Sequence, residues 1–130
     1  MGSGATRRGL GLGVAVLAAS GAFVLGMPGG ARAEADPPCP GRMVKTLPFA
    51  NGVVHVYKRD GYVCAVTLPD RPGTKRTMSV GVQARGNLPV VDKGRYAYRA
   101  GPVTVHAGHR CVRVTGAVGG GSVSSGWILC

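Results

Sequence analysis

The sequence predicts an all-β domain: a small antiparallel β-sandwich or barrel of about six to seven strands, held by two disulfides and preceded by a signal peptide. Three observations carry this reading. Short runs rich in Val, Thr and Tyr are cut at frequent intervals by Gly, Pro and Asp, the pattern of strands joined by tight turns. No stretch of the chain after Ala33 carries apolar residues at helical spacing, so helical signals are nearly absent there. Cys39, Cys64, Cys111 and Cys130 form an even set behind an export signal, which points to an oxidised, cross-linked domain.

The export signal occupies residues 1–33. Arg7 and Arg8 give a positive start, an uncharged stretch runs from Gly9 to Ala31, and Pro28-Gly29-Gly30 breaks it just before Ala31-Arg32-Ala33. That layout is a secretory signal peptide, with cleavage expected after Ala33 or Ala35. A membrane anchor is the rival, since about 20 apolar residues span a bilayer. Gly11, Gly13, Gly21 and Gly26 dilute the stretch, and the small-residue site follows where a peptidase needs it, so no stable membrane insertion is expected after cleavage. Removing 33 of the 130 residues leaves 97, enough for one domain. The leader takes Arg7, Arg8 and Arg32 with it and no acid, so the formal charge of +11 falls to +8.

Residues 34–41 read as an extended lead-in, because Pro37, Pro38 and Pro40 forbid a helix; residues 42–130 read as a single β domain. Met43–Leu47 is a first short strand. Val53–Lys58, the turn Arg59-Asp60-Gly61 and Tyr62–Leu68 form a hairpin, since Asp-Gly supplies the positive φ that a tight turn requires. Pro69–Gly73 is a loop. Met78, Val80, Val82 and Ala84 then alternate with Ser79, Gly81 and Gln83, the period of a half-buried strand. Gly86-Asn87 opens a connection reaching Lys93-Gly94. In Arg95–Arg99 the tyrosines take one strand face and the arginines the other. Gly101-Pro102 bends the chain before Val103–His106, and Gly108 turns it into Arg110–Thr115. Gly119-Gly120-Gly121-Ser122 reads as a flexible loop, and Trp127–Cys130 closes the sequence.

The four cysteines allow three pairings. The expected one is Cys39–Cys64 with Cys111–Cys130, the two shorter loops, which staples each end of the domain to a neighbouring strand. A metal site is disfavoured because no two cysteines have the close spacing of zinc ligands.

Catalytic chemistry is poorly provided for, and the expectation is a non-enzyme. A glycosidase pair would have to come from Asp60, Asp70 and Asp92, of which the first two sit in turns. His106-x-x-His109 lacks an evident third ligand, and His55 stands alone. There is no Gly-x-Ser-x-Gly elbow, no free thiol once two disulfides form, and no Gly-rich loop followed by Lys-Ser/Thr among the 23 dispersed glycines. No cofactor and no metal are expected. What remains is charge. Arg71, Lys75 and Arg76 cluster in one loop, and Arg95, Arg99, Arg110 and Arg113 lie on later strands. These are the candidate contacts for polyanions, of which wall phosphate polymers, anionic lipid headgroups and nucleic acid are the classes to weigh. Anionic cell-wall or spore-surface polymers are the expected partners. Nucleic acid is not expected as a partner, since no recognition pattern appears and few aromatics are available for stacking.

Several segments, in order, resemble the spore-associated protein A family of actinomycetes. They are Cys39 with Val44-Lys45; Gly52-Val53-Val54 with Val56-Tyr57; Cys64-Ala65-Val66-Thr67; Asp92 to Tyr98; Ala100-Gly101-Pro102-Val103; Cys111-Val112-Arg113; and Cys130. The collinearity of these segments with four cysteines carries the resemblance. One departure stands at Val114, where members of the family tend to carry an aromatic. The resemblance implies an exported protein associated with spores or aerial hyphae and implies no catalytic residues. The leading functional expectation is therefore a secreted, non-catalytic protein of the spore or hyphal surface, held partly by its basic charge. The alternative is a secreted protease inhibitor presenting Arg71–Arg76 as a basic bait loop.

Overall fold

The computed structural model describes residues 38–130. The segment expected to be a signal peptide and the first part of the lead-in lie outside the described residues. Eight strands build the domain: β1 Arg42–Phe49, β2 Gly52–Arg59, β3 Tyr62–Pro69, β4 Arg76–Ala84, β5 Val90–Tyr96, β6 Ala100–His106, β7 Val112–Val118 and β8 Gly121–Ile128. They form two four-stranded antiparallel sheets, ordered β1-β2-β3-β6 and β5-β4-β7-β8. The all-β sandwich with two disulfides is thus the architecture, with eight strands in place of six or seven.

The extra strands come from two segments whose glycines and prolines read as connections. The first is β5, which starts at Val90 and leaves only residues 85–89 as a loop. Gly94 belongs to β5: a Cβ there would come within 3.0 Å of the Tyr96 ring, so the absence of a side chain is what lets the ring lie back on the strand. Tyr96 ends β5, and Ala97-Tyr98-Arg99 is the turn into β6. Arg95 and Arg99 therefore do not share one strand face. The second is β8. Gly119-Gly120 alone forms the turn, and Gly121 and Ser122 pair with Val118 and Ala117. Gly101-Pro102 lies inside β6, where the register against β3 shifts between Ala65 and Thr67. β6 is an edge strand, which tolerates a proline that cannot donate to a ladder. The β2–β3 hairpin turns at Asp60 and Gly61, both at positive φ, 52° and 82°, as a two-residue hairpin turn requires.

Alternation fixes the core. On β4, Met78, Val80, Val82 and Ala84 are buried between the sheets, while Ser79 and Gln83 face outward. Val112, Val114 and Val118 meet them from β7, and Val54, Val56, Val63 and Ala65 from the other sheet. Gly116 allows the close approach at the centre: a Cβ there would collide with Val54 and lie 2.6 Å from Thr67 Oγ1. Thr67 is fully buried, and its hydroxyl oxygen has no hydrogen-bond partner.

A second, smaller cluster lies on the opposite face of β2 and β3. There Cys39, Tyr57, Cys64 and Val66 are buried, with Leu68 packed against them. The disulfides join Cys39 to Cys64 and Cys111 to Cys130. The first draws the lead-in, which bends through Pro38–Gly41 and is not extended there, over the outer face of its sheet.

Candidate functional site: a cationic end of the sandwich

Strand pairing decides which basic residues meet. Arg76 and Arg95 belong to the adjacent strands β4 and β5, where Arg76 is opposite Tyr96 and Thr77 opposite Arg95. The loop before β4 is tied to the turn after β5, because the Gly73 amide donates to the Ala97 carbonyl at 2.9 Å. Arg95 Nη2 donates to the Lys75 carbonyl and Arg76 Nη2 to the Arg71 carbonyl, each at 3.5 Å. Arg71, Lys75, Arg76, Arg95 and Arg99 are thereby gathered at one end of the sandwich, although 28 positions of sequence separate the first from the last. All but the half-buried Arg76 are exposed. Asp70 is the exposed carboxylate of this end, and a small hollow lies between it, Arg71, Arg76, Ala50 and Asn51.

Asp92 holds this end together from beneath. One carboxylate oxygen accepts the Tyr96 hydroxyl proton, and the other accepts the Gly101 amide at 2.8 Å. Since β5 and β6 belong to different sheets, this carboxylate clips the sheets to each other next to the 97–99 turn. The hydrogen bond to Asp92, with burial and the carboxylate charge adding to it, raises the Tyr96 pKa above 10.0. Asp92 is therefore occupied in structure and not offered to a ligand.

The remaining two basic candidates lie at the opposite end. Arg110 sits in the β6–β7 loop, where its guanidinium donates to the carbonyls of Ala107 at 3.1 Å, His106 at 2.8 Å and Arg85 at 3.4 Å. Arg113 stacks on Trp127, 4.4 Å from the ring centroid, and Arg85 approaches the same ring at 5.5 Å. Arg85 carries no sequence signal beyond standing beside the Gly86-Asn87 turn.

The residues that would serve catalysis are dispersed. Asp60 and Asp70 flank the two ends of β3, eight residues long, which puts them about 25 Å apart by strand rise. His106 lies edge-on against Tyr62, with ring centroids 4.8 Å apart, and His109 is exposed in the next turn. Among the described residues no three His, Cys, Asp or Glu side chains gather as metal ligands.

Fold and site together define a two-disulfide β-sandwich with a cationic end. Compared with protein-family models, with curated proteins and with solved structures, the chain matches none. The two disulfides are compatible with an extracellular setting, and among the described residues no helix is long and apolar enough to cross a membrane.

Proposed function

We propose that this is an exported, non-catalytic protein of the spore or hyphal surface, held there in part by charge through Arg71, Lys75, Arg76, Arg95 and Arg99. The observation that carries the reading is the gathering of these five cations at one end of the sandwich, from residues 71–76 and 95–99, where Asp70 is the exposed carboxylate. Residues 38–130 hold thirteen Lys and Arg against three Asp once Arg7, Arg8, Arg32, Glu34 and Asp36 are set aside. Among these residues one ion pair forms, Arg59 with Asp60 at 3.7 Å on the exposed surface. The cationic end is thus free to attract a polyanion, and wall phosphate polymers are the extracellular class that fits. The resemblance to the spore-associated protein A family supports the location.

The test is co-sedimentation of the oxidised protein with isolated spore and hyphal walls across a salt series. Binding should be strong at low ionic strength and fade as salt shortens the screening length to a few ångström. Failure to bind at any salt removes the reading.

One observation favours a second reading, protease inhibition. The Arg71–Arg76 loop is exposed and braced by the Gly73–Ala97 hydrogen bond, and a preorganised loop loses little entropy on docking. Stoichiometric titration of trypsin activity would support it; cleavage of the loop without inhibition would remove it.

A further inference from the structure

The end of the sandwich opposite the cationic site combines three features that the polymer-binding reading does not use. The first is an apolar tip. Leu88, in the β4–β5 loop, is 86% exposed, more than any other large hydrophobic residue described, and Val90 and Val91 beside it are 49% and 56% exposed. This exposure is built in. The Asn87 amide donates to the Ala84 carbonyl at 2.9 Å, Gln83 Nε2 donates to the Asn87 carbonyl at 2.9 Å, and the Arg85 amide donates to the Cys111 carbonyl at 2.9 Å. The loop is thus pinned on both sides, with Leu88 held out.

The second feature is a group of guanidinia around that tip. Arg85 is three residues from Leu88, Arg110 reaches the Arg85 carbonyl, and Arg113 is opposite Gln83 in the β4–β7 ladder. The described acidic side chain at this end is Asp60, in the turn whose Gly61 carbonyl accepts the Ala107 amide, and it is paired with Arg59. The third feature is Trp127, opposite Arg113 on the edge strand β8 and half-buried beneath the guanidinia of Arg85 and Arg113. Arg85, three residues before Leu88, joins this amphipathic indole to the loop that carries the apolar tip, and such a ring is suited to the headgroup layer of a bilayer.

We infer that this end is a peripheral docking surface for an anionic phospholipid bilayer, with Leu88 and Val90 entering the acyl boundary and Arg85, Arg110 and Arg113 meeting headgroup phosphates. Charge complementarity selects this occupant over a second copy of the chain: a two-fold contact would press the same arginines against themselves. The apolar tip favours a bilayer over a soluble polyanion, because a phosphate polymer gives Leu88 nothing apolar to enter. Apolar insertion and electrostatic attraction contribute together in such docking.

Trp127 is the one tryptophan of the chain, so it reports on this end without a label. The purified, oxidised protein is mixed with vesicles of phosphatidylcholine alone and of phosphatidylcholine with phosphatidylglycerol, and sedimentation and Trp127 emission are read together. Expected are binding to the anionic vesicles, a blue shift of the emission, and quenching by lipids brominated in the acyl chain. Leu88→Asp should lower anionic-vesicle affinity about tenfold or more, the scale of one buried leucine. Loss of charge at Arg71, Lys75 and Arg76 should leave the blue shift in place, which separates this surface from the wall-binding one. Absence of binding to anionic vesicles overturns the inference. So does binding that survives Leu88→Asp without a blue shift, since that end would then be attracting phosphate and not docking on a bilayer.

Discussion

The two sheets bury their strands in different ways. In the β1-β2-β3-β6 sheet, β3 is covered on both faces: Val63, Ala65 and Thr67 point into the sandwich, while Cys64, Val66 and Leu68 lie under Cys39 and Tyr57. In the other sheet, β4 is covered on one face and leaves Thr77, Ser79 and Gln83 toward solvent. The sequences show the cause. Tyr62–Leu68 is a nearly continuous apolar run, as a strand buried on both sides must be, whereas Met78–Ala84 alternates strictly. A strand that is apolar on both faces needs a cover. The Cys39–Cys64 bond supplies it by fastening the lead-in across the sheet.

The two disulfides are therefore unequal, although their loops are similar in length, with 25 and 19 residues of separation. Chain-entropy terms grow slowly with loop size and nearly cancel between them. Burial makes the difference, since Cys39 and Cys64 are 0% and 2% exposed while Cys130 is at the surface. Replacing Cys39 and Cys64 by Ala should cost about 3–5 kcal/mol, as the cross-link and the packing of the second cluster go together. Replacing Cys111 and Cys130 should cost about 2–3 kcal/mol. Denaturant unfolding of both variants measures the gap, and equal losses would break the comparison. Mild reductant followed by thiol alkylation sharpens it: Cys111 and Cys130 should be labelled first.

The centre of the sandwich offers a smaller contrast. Gly116→Ala inserts a methyl group between Val54 and Thr67 and should destabilise by about 1–3 kcal/mol. Thr67→Val removes a buried hydroxyl without a partner and keeps the shape, so it should stabilise by about 1 kcal/mol. A destabilised Thr67→Val would mean that the hydroxyl is satisfied after all. The smallest effect concerns the clip between the sheets. Tyr96 keeps its proton above 10.0 because Asp92 accepts it. With the folded pKa raised, the associated stability is fully present below the unfolded value and is lost only as pH rises through the folded one. Neutral-pH stability should therefore not respond to this titration. Alkaline difference absorbance should show the ionisation of Tyr96 moving back toward the ordinary value in Asp92→Asn.

Parts of this were open to reading from residues. The β2–β3 hairpin follows from Asp60-Gly61 between two β-branched runs, and β4 from its strict period of two. β5 was hidden because Gly94 is placed to seat the Tyr96 ring, a contact with no local pattern. Likewise the Gly119–Gly121 run resembles a loose linker until β7 and β8 are seen to pair across it. The candidate site was legible in kind and not in place. A cluster of Arg71, Lys75 and Arg76 is evident in the chain, but its union with Arg95 and Arg99, and the separation of Arg110 and Arg113 to the far end, depend on strand pairing. Arg85, Leu88 and Trp127 gain meaning only once that far end is assembled.

The central proposal is that the cationic end holds the protein to the envelope, and neutralising its exposed loop tests it most directly. Wall co-sedimentation at low salt should be compared for the native protein and for a variant carrying Arg71→Gln, Lys75→Gln and Arg76→Gln, with matched thermal unfolding to confirm that both are folded. A loss of about tenfold in wall affinity, together with a flatter salt dependence, is the predicted result. A folded variant that binds walls as tightly as the native protein, with the same salt dependence, would contradict the account.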